Sequence, residues 1–311
     1  MKKSIVVLLL ALVFALPAKE LKVLMIGNSF SICVGNYLPK MVKSVPGCKL
    51  TLTSAYIGGC SLERHSKNLS EAEKNPDARQ YRINVWYSDK PNVHTRHGSV
   101  LKLLKTEKYD VITIQQNSFN SFKYKTYQPY ADHLISTIKK YQPQAEIVIQ
   151  QTWSYRSDSW ILTRDKLSNT EMYQGAAAAY RKLAEAYGLR VIPTGDAVQI
   201  FRKNNPPPEF KYLDEKARAK YKWPDVPPQA GDVVGVNRWI KRGGDGKMIL
   251  YMDSVHLNER GEYLQAAVWF AFLYGKKTSE IKYVPLKVGD DDAVFLRKYA
   301  QEAVDNYKQV K

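Results

Sequence analysis

Ser29, His256 and Asp253 are the residues of this chain best suited to do chemistry together. A serine hydroxyl is a weak nucleophile until a base takes its proton. The base, an imidazole, needs a carboxylate to hold its tautomer and stabilise its charged form. Ser29 stands in Ile26-Gly27-Asn28-Ser29-Phe30-Ser31-Ile32, where the apolar run Leu21-Lys22-Val23-Leu24-Met25-Ile26 breaks into a turn and an apparent helix. A serine so placed lies at the carboxyl end of a strand, the edge where open α/β sheets hold their ligands. Asp253 and His256 are one helical turn apart in Asp253-Ser254-Val255-His256, just ahead of another helical pattern. Each piece alone is weak. Gly-Asn-Ser turns are common after strands, and Asp-x-x-His also fits a surface helix start capped by its aspartate. Placed after the first strand and before the last core helix, the two pieces supply a nucleophile, a base and an orienting carboxylate, which points to acyl transfer.

Acyl transfer also needs donors aimed at the developing oxyanion. The backbone N–H of Ser29 is one candidate. Ile57-Gly58-Gly59-Cys60-Ser61 ends the second strand-like run, and a glycine there lets backbone approach a reacting carbonyl closely. The third run ends Ile114-Gln115-Gln116-Asn117-Ser118, with side-chain amides at the same sheet edge.

The elements that must position these groups are visible as patterns. Runs at 21–26, 49–57, 109–115 and 145–151, rich in Val, Ile, Leu or Thr, read as buried parallel strands. A fifth, Leu189-Arg190-Val191-Ile192-Pro193, follows a helical segment at 170–187, and helices close the chain at 258–274 and 290–309. Strands alternating with helices predict a doubly wound α/β sheet. Two insertions interrupt the pattern. One, 61–98, mixes a charged helical stretch with the strand-like Tyr81-Arg82-Ile83-Asn84-Val85-Trp86-Tyr87. The other, 204–247, runs from Asn204-Asn205-Pro206-Pro207-Pro208 to Arg242-Gly243-Gly244-Asp245-Gly246, and its aromatic content suits an ordered lid or wall over the site.

Four ordered pieces, Gly27-Asn28-Ser29-Phe30-Ser31, Gly58-Gly59, Gln115-Gln116-Asn117-Ser118 and Asp253-Ser254-Val255-His256, resemble the four blocks of the SGNH/GDSL hydrolase superfamily. The chain is similar in more detail to a bacterial branch of it through Gln150-Gln151-Thr152-Trp153-Ser154-Tyr155, Pro193-Thr194-Gly195-Asp196-Ala197-Val198-Gln199 and His256-Leu257-Asn258-Glu259-Arg260-Gly261. The resemblance covers roughly 20–275. It implies a three-layer α/β/α flavodoxin-like fold with a central parallel sheet and loop insertions. It also implies Ser29 as nucleophile and first oxyanion N–H, Gly59 as second donor, a block-three amide as third, His256 as base and Asp253 as its partner. Two departures stand out. Asn28 replaces the usual aspartate, a variant frequent in carbohydrate-active branches. Gln115-Gln116-Asn117-Ser118 replaces Gly-x-Asn-Asp, so that Asn117 matches by position while Gln115 or Gln116 could serve instead.

Composition narrows the setting. Met1-Lys2-Lys3-Ser4, an apolar run from Ile5 to Leu16 and Pro17-Ala18 fit a secretory signal peptide over 1–18. That run is too short for a membrane span, which needs about 20 apolar residues. The expectation is a periplasmic or secreted protein without stable membrane insertion, residues 19–311 forming a single catalytic domain. The formal charge of +17 is spread along the chain without a nucleic-acid-binding motif. It fits an acidic polysaccharide or cell-envelope partner, or serves solubility alone. Three cysteines permit one disulfide in an exported protein, with Cys33–Cys60 the first choice against three buried thiols. His94 and His97 lack a third metal ligand, so a solvated loop explains them better. His65 is a candidate for the site rim against the favoured reading of an ordinary helix histidine. Trp153, Tyr155 and Trp160 follow the fourth strand, where aromatic faces could stack on sugar rings, and core packing explains Trp153 equally well. The chain's 21 tyrosines suit such polar walls.

The expectation is therefore a cofactor-free, metal-free serine esterase that removes acyl groups, above all acetyl, from a polysaccharide or oligosaccharide. Asn28, Gln115, Trp153 and Tyr155 are candidates for substrate contact. The alternatives are a lipid or aryl esterase on the same machinery, or a non-catalytic carbohydrate or cell-wall binder.

Overall fold

The computed structural model of the protein describes residues 19–90, 94–242, 244 and 246–310. The signal-peptide expectation at 1–18 therefore lies outside the described residues. Among them, no helix is long and apolar enough to cross a membrane.

Among the described residues, nine strands form two sheets: β1 (Lys19–Gly27), β2 (Cys48–Tyr56), β3 (Tyr81–Tyr87), β4 (His94–Gly98), β5 (Val111–Ile114), β6 (Glu146–Gln150), β7 (Arg190–Ile192), β8 (Val234–Lys241) and β9 (Met248–Leu257). The first seven make one sheet in the order β4-β3-β2-β1-β5-β6-β7. Its five core strands β2-β1-β5-β6-β7 are parallel, which is the flavodoxin-like 2-1-3-4-5 winding. β3 and β4 extend the β2 edge antiparallel, so His94 and His97 sit in an edge strand rather than a loop.

The helices are α1 (Ser29–Ile32), α2 (Val34–Lys43), α3 (Leu62–Lys74), α4 (Val100–Thr106), α5 (Tyr130–Tyr141), α6 (Trp160–Asp165), α7 (Asn169–Tyr187), α8 (Thr194–Asn204), α9 (Glu215–Arg218), α10 (Glu259–Tyr274) and α11 (Asp290–Asn306). A parallel sheet buries both faces, and alternate side chains along a strand divide between them. Val23 and Met25 of β1 join one core with α2, α8, α10 and α11, whereas Leu24 and Ile26 join the other with α3, α4, α5 and α7. Helix α10 is apolar almost all round and correspondingly buried, with Asn258 capping it by accepting from the Gly261 N–H.

This layering corrects the disulfide expectation. All three cysteines are free thiols. Cys33 packs against the first core and Cys60 sits in the second, so the sheet lies between them. The Cys33 thiol instead donates to Gln265 Oε1 at 3.0 Å.

His65 is corrected too. It lies on α3, wholly buried, with Nδ1 2.9 Å from the Tyr81 hydroxyl rather than at the site rim. Burial, helped by the charge of Arg64, pushes its pKa down to about 3. The folded protein therefore keeps His65 neutral at pH values where the unfolded chain, near pKa 6.5, takes up a proton. That difference removes stability as pH falls from about 6.5 towards 3, by about 2–3 kcal/mol at pH 4.5. Urea denaturation of wild type and His65→Gln at pH 7 and pH 4.5 should show the variant losing less stability on acidification than wild type does. Equal acid losses in both would remove His65 from this account.

The second insertion carries the other surprise. β8 and β9 form an antiparallel ribbon, with a bulge between Val234 and Val236. Asp253 and His256 stand near the end of β9, not at a helix start. At the bulge, Gly235 has φ +90°, and a Cβ there would stand 2.7 Å from the Asp253 carbonyl oxygen. Glycine is needed for both reasons.

Candidate active site

β1 ends at Gly27, and the chain turns at once into α1. Asn28 is the N-cap, its Oδ1 accepting from the Phe30 N–H at 3.0 Å and from Gln115 Nε2 at 2.6 Å. Its Nδ2 donates to the Cys60 carbonyl at 3.0 Å. Ser29 is thereby the first residue of a helix, where a backbone N–H has no intrahelical acceptor. Gly27 cannot be larger, because a Cβ would meet Ser31 Oγ at 2.4 Å.

Ser29 Oγ lies 2.8 Å from His256 Nε2, and His256 Nδ1 lies 2.8 Å from Asp253 Oδ2. A carboxylate only accepts, so Nδ1 carries the proton and Nε2 is free to accept from the Ser29 hydroxyl. Asp253 Oδ1 accepts from the backbone N–H groups of Val255 (2.8 Å) and His256 (2.9 Å), while Oδ2 also accepts from the Tyr251 hydroxyl at 3.1 Å. Burial alone would raise the Asp253 pKa. The hydrogen bonds and charge of His256, with the two backbone donors, outweigh it and hold the carboxyl well below the usual range. Tyr251 escaped the sequence reading. Its signal is the i, i+2 spacing that puts two strand residues on one face.

Trp153 joins the two halves of the site. Its ring stacks on Phe30 with centroids 4.0 Å apart, and its Nε1 donates to the Val255 carbonyl at 3.0 Å. It therefore ties the turn that carries Ser29 to the strand end that carries His256. Such stacking contributes about 0.5–1.5 kcal/mol beyond burial. The neighbouring Arg156 N–H donates to the Ser254 carbonyl at 2.9 Å. The Arg156 guanidinium is fully buried, paired with Asp158 at 2.7 Å and donating to Asn237 Oδ1 of the ribbon at 3.2 Å.

The residues expected to contact substrate are mostly buried. Tyr155 is 0% exposed and lines neither cavity beside Ser29, whereas Trp153, also 0% exposed, lines one of them. Asn28 and Gln115 are also buried, and their amides are bonded to each other and to the turn. Gln116 is no oxyanion donor. Its Oε1 accepts from Leu62 and Asn117 N–H groups, and its Nε2 donates to Thr126. Asn117 is the block-three amide that reaches the site. Asn120 N–H donates to its Oδ1 at 3.1 Å, which leaves Nδ2 to donate to the Gly59 carbonyl at 3.0 Å and to face the cavity. Gly59 holds φ +62° in the turn after β2.

A cavity of about 300 Å³ opens beside Ser29, Gly59 and Asn117, rimmed by Phe119, Trp160 and Tyr251. Those three aromatics are 41%, 47% and 36% exposed, so the rim the sequence suggested is made by Trp160 with partners from other loops. On the far side of the Ser29–His256 pair lies a second cavity of about 380 Å³, lined in part by Arg82, Asn84 and Trp86. Among the described residues, no group of three or more His, Cys, Asp or Glu side chains converges as a metal site.

The four blocks of the SGNH/GDSL resemblance thus meet at one place, where the crossovers from β1 and β5 diverge, the switch point of a doubly wound sheet. The architecture is that expected of an SGNH hydrolase. A crystal structure of a DUF4886 family protein from Bacteroides uniformis matches with a TM-score of 0.73 at 25% identity, covering 94% of this chain and 98% of that one. A protein from Slackia heliotrinireducens, described as a candidate SGNH hydrolase, matches at TM-score 0.47 and 20% identity over 81% of this chain and 97% of its own. Axe2, an acetylxylan esterase from Geobacillus stearothermophilus, matches at TM-score 0.42 and 14% identity, over 85% and 95%. None of the curated proteins compared with the chain matches it. The family described as a domain of unknown function, DUF4886, matches residues 22–217, and the chain belongs to that family.

Proposed function

We propose that the protein is an exported serine esterase that hydrolyses O-acyl esters, in the first place O-acetyl esters, on a carbohydrate. The observation that carries the reading is the continuous chain from Ser29 Oγ through the His256 ring to Asp253, with 2.8 Å at each step. Ser29 Oγ attacks the ester carbonyl as His256 Nε2 takes its proton. The tetrahedral oxyanion would be held by the N–H groups of Ser29 and Gly59 and by Asn117 Nδ2. His256 then gives the proton to the departing alcohol, and water, deprotonated by the same ring, releases the acid and restores Ser29. The open aromatic rim of Phe119, Trp160 and Tyr251 supports a sugar-bearing substrate, since rings of this kind pack against pyranose faces. The leader-like residues 1–18 support export.

The test is acetate release from acetylated glycans beside hydrolysis of 4-nitrophenyl acetate and of a long-chain acyl ester. Preferential release from glycan is expected. Turnover of the aryl or long-chain ester alone would overturn the carbohydrate assignment and keep the esterase. No turnover on any ester would favour a binding role.

Asn117 gives a sharper check on the oxyanion hole. Asn117→Ala should lower kcat by about 10²–10³ with KM nearly unchanged, the signature of a donor used in the transition state. A change confined to KM would make Asn117 a ground-state contact instead.

A further inference from the structure

The cavity that holds Arg82 beside Ser29 and His256 does not end there. Through Asn36, Trp86 and Glu262, which line both, it continues into a larger one of about 690 Å³. That is the size of a typical ligand site. Its walls come from α2, from the β3 end and from the start of α10. Trp86 stands at the junction. Its ring packs against α2 at Gly35, where a Cβ would come within 2.6 Å of it.

The charges here are unevenly matched. Lys40, Lys43 and Lys90 line the larger cavity, and Arg82 the nearer one. None of the four takes part in any ion pair among the described residues. Aromatic rings steer three of them: Lys40 lies over Tyr283, Lys90 over Tyr87, and Arg82 over Tyr56, at 5.7, 4.7 and 4.8 Å from the ring centres. The two carboxylates of the groove are already engaged. Glu259 pairs with Lys287, and Glu262 accepts from Asn36 Nδ2 at 2.8 Å. Burial also raises the pKa of Glu262, so its negative charge is costly to keep. The groove therefore runs from the nucleophile over an indole ring to a group of uncompensated cations.

We propose that this groove binds an anionic glycan. Lys40, Lys43, Lys90 and Arg82 would hold its carboxylate or sulfate groups, Trp86 would carry a sugar ring, and the acyl ester would reach Ser29. The placing of the ester rests on the esterase reading; the anion selectivity does not. Carboxylate and sulfate share the chemistry that the lysines recognise, and separate probes distinguish them.

The experiment is calorimetric binding in low salt to Ser29→Ala, which cannot consume the probe. The probes are a uronic-acid hexamer (hexagalacturonate), a sulfated galactan hexamer and neutral xylohexaose. Binding is then repeated with Lys40→Gln, Lys43→Gln and Lys90→Gln combined, and with a control set, Lys105→Gln, Lys139→Gln and Lys140→Gln, that removes equal charge from α4 and α5. At least one anionic hexamer should bind about tenfold tighter than xylohexaose, and the groove set should lose about tenfold in affinity where the control set loses less than about twofold. Equal binding of all three hexamers, or equal losses in the two sets, would overturn the proposal. Wild-type turnover of 4-nitrophenyl acetate, measured alongside, separates the two readings. Anion-selective binding without turnover would sink the esterase and keep the groove, whereas turnover without anion selectivity would do the reverse.

Discussion

Ser29→Ala should lower kcat on any ester the protein hydrolyses by roughly four to six powers of ten, with little change in Tm. The size follows from the geometry. In the proposed mechanism Ser29 Oγ is the atom that His256 and Asp253 polarise, and His256 Nε2 lies 2.8 Å from it. Without it the proposed mechanism leaves the base only water to activate. The fold should not notice the change. The turn is set by the side chain of Asn28, by Gly27 and by the two amides of Gln150 and Gln265 that donate to the Phe30 carbonyl at 2.6 and 2.9 Å. The side chain of Ser29 supports none of these. Retained activity in a correctly folded Ser29→Ala protein would end the covalent mechanism. Lost activity with a lowered Tm would instead mean that the turn had moved.

Asp253→Asn should cost about 10⁴ in kcat while the ribbon stays folded. An asparagine can keep its oxygen on the Val255 and His256 N–H groups, which now donate to Oδ1 at 2.8 and 2.9 Å. Its NH₂ would then face His256 Nδ1, where a carboxylate oxygen now accepts. Two donors cannot face each other, so Nδ1 must become the acceptor and the proton moves to Nε2. That nitrogen then points an N–H at Ser29 and cannot take its proton. Asp253→Ala would be worse for the fold, because it strips the acceptor from two backbone donors near the ribbon end. The pair of variants separates chemistry from support. Asn should lower turnover with a stability loss limited to the carboxylate's contribution at neutral pH, and Ala should lower stability further. There is also a pH signature. The Asp253 carboxyl is held below its unfolded value, so it stabilises the fold at neutral pH and this contribution fades as pH falls below about 4. Asp253→Asn should lack that acid-dependent loss, which urea midpoints across pH 3–7 would reveal.

Much of this site was legible in residue types. The strand at 21–26 reads clearly because a central parallel strand is apolar on both faces, and its abrupt end at Gly27-Asn28 marks a turn at the ligand-binding edge. The four blocks are each weak, and their order along the chain made the case. The ribbon was not legible. β9 is half-buried along nearly its whole length, with no alternation of exposed and buried residues, so Asp253 and His256 looked like the approach to α10 rather than the end of a strand. Trp153 and Tyr155 could not be told from a sugar platform, because an aromatic residue after a strand has the same composition whether its ring faces solvent or core. Of the amides at 115–117, Asn117 matched the block-three asparagine by position, with Gln115 or Gln116 left as alternatives. All three donate hydrogen bonds within the protein, and what separates them is that Asn117 alone of the three lines the cavity beside Ser29.

The sequence by itself therefore determined the parallel core of the sheet and its carboxyl edge, and singled out Ser29, Asp253 and His256, which the structure brings within hydrogen-bond reach of one another, because these follow from local burial patterns and from residue chemistry. Only the tertiary structure decided which amide faces the cavity, that Trp153 ties the Ser29 turn to the strand end that carries His256, that Cys33 and Cys60 stand on opposite sides of the sheet, and that unmatched lysines line a groove leading to Ser29. Each of those depends on which distant groups compete for the same hydrogen bond, face or charge, and such competition exists only once the chain has closed on itself.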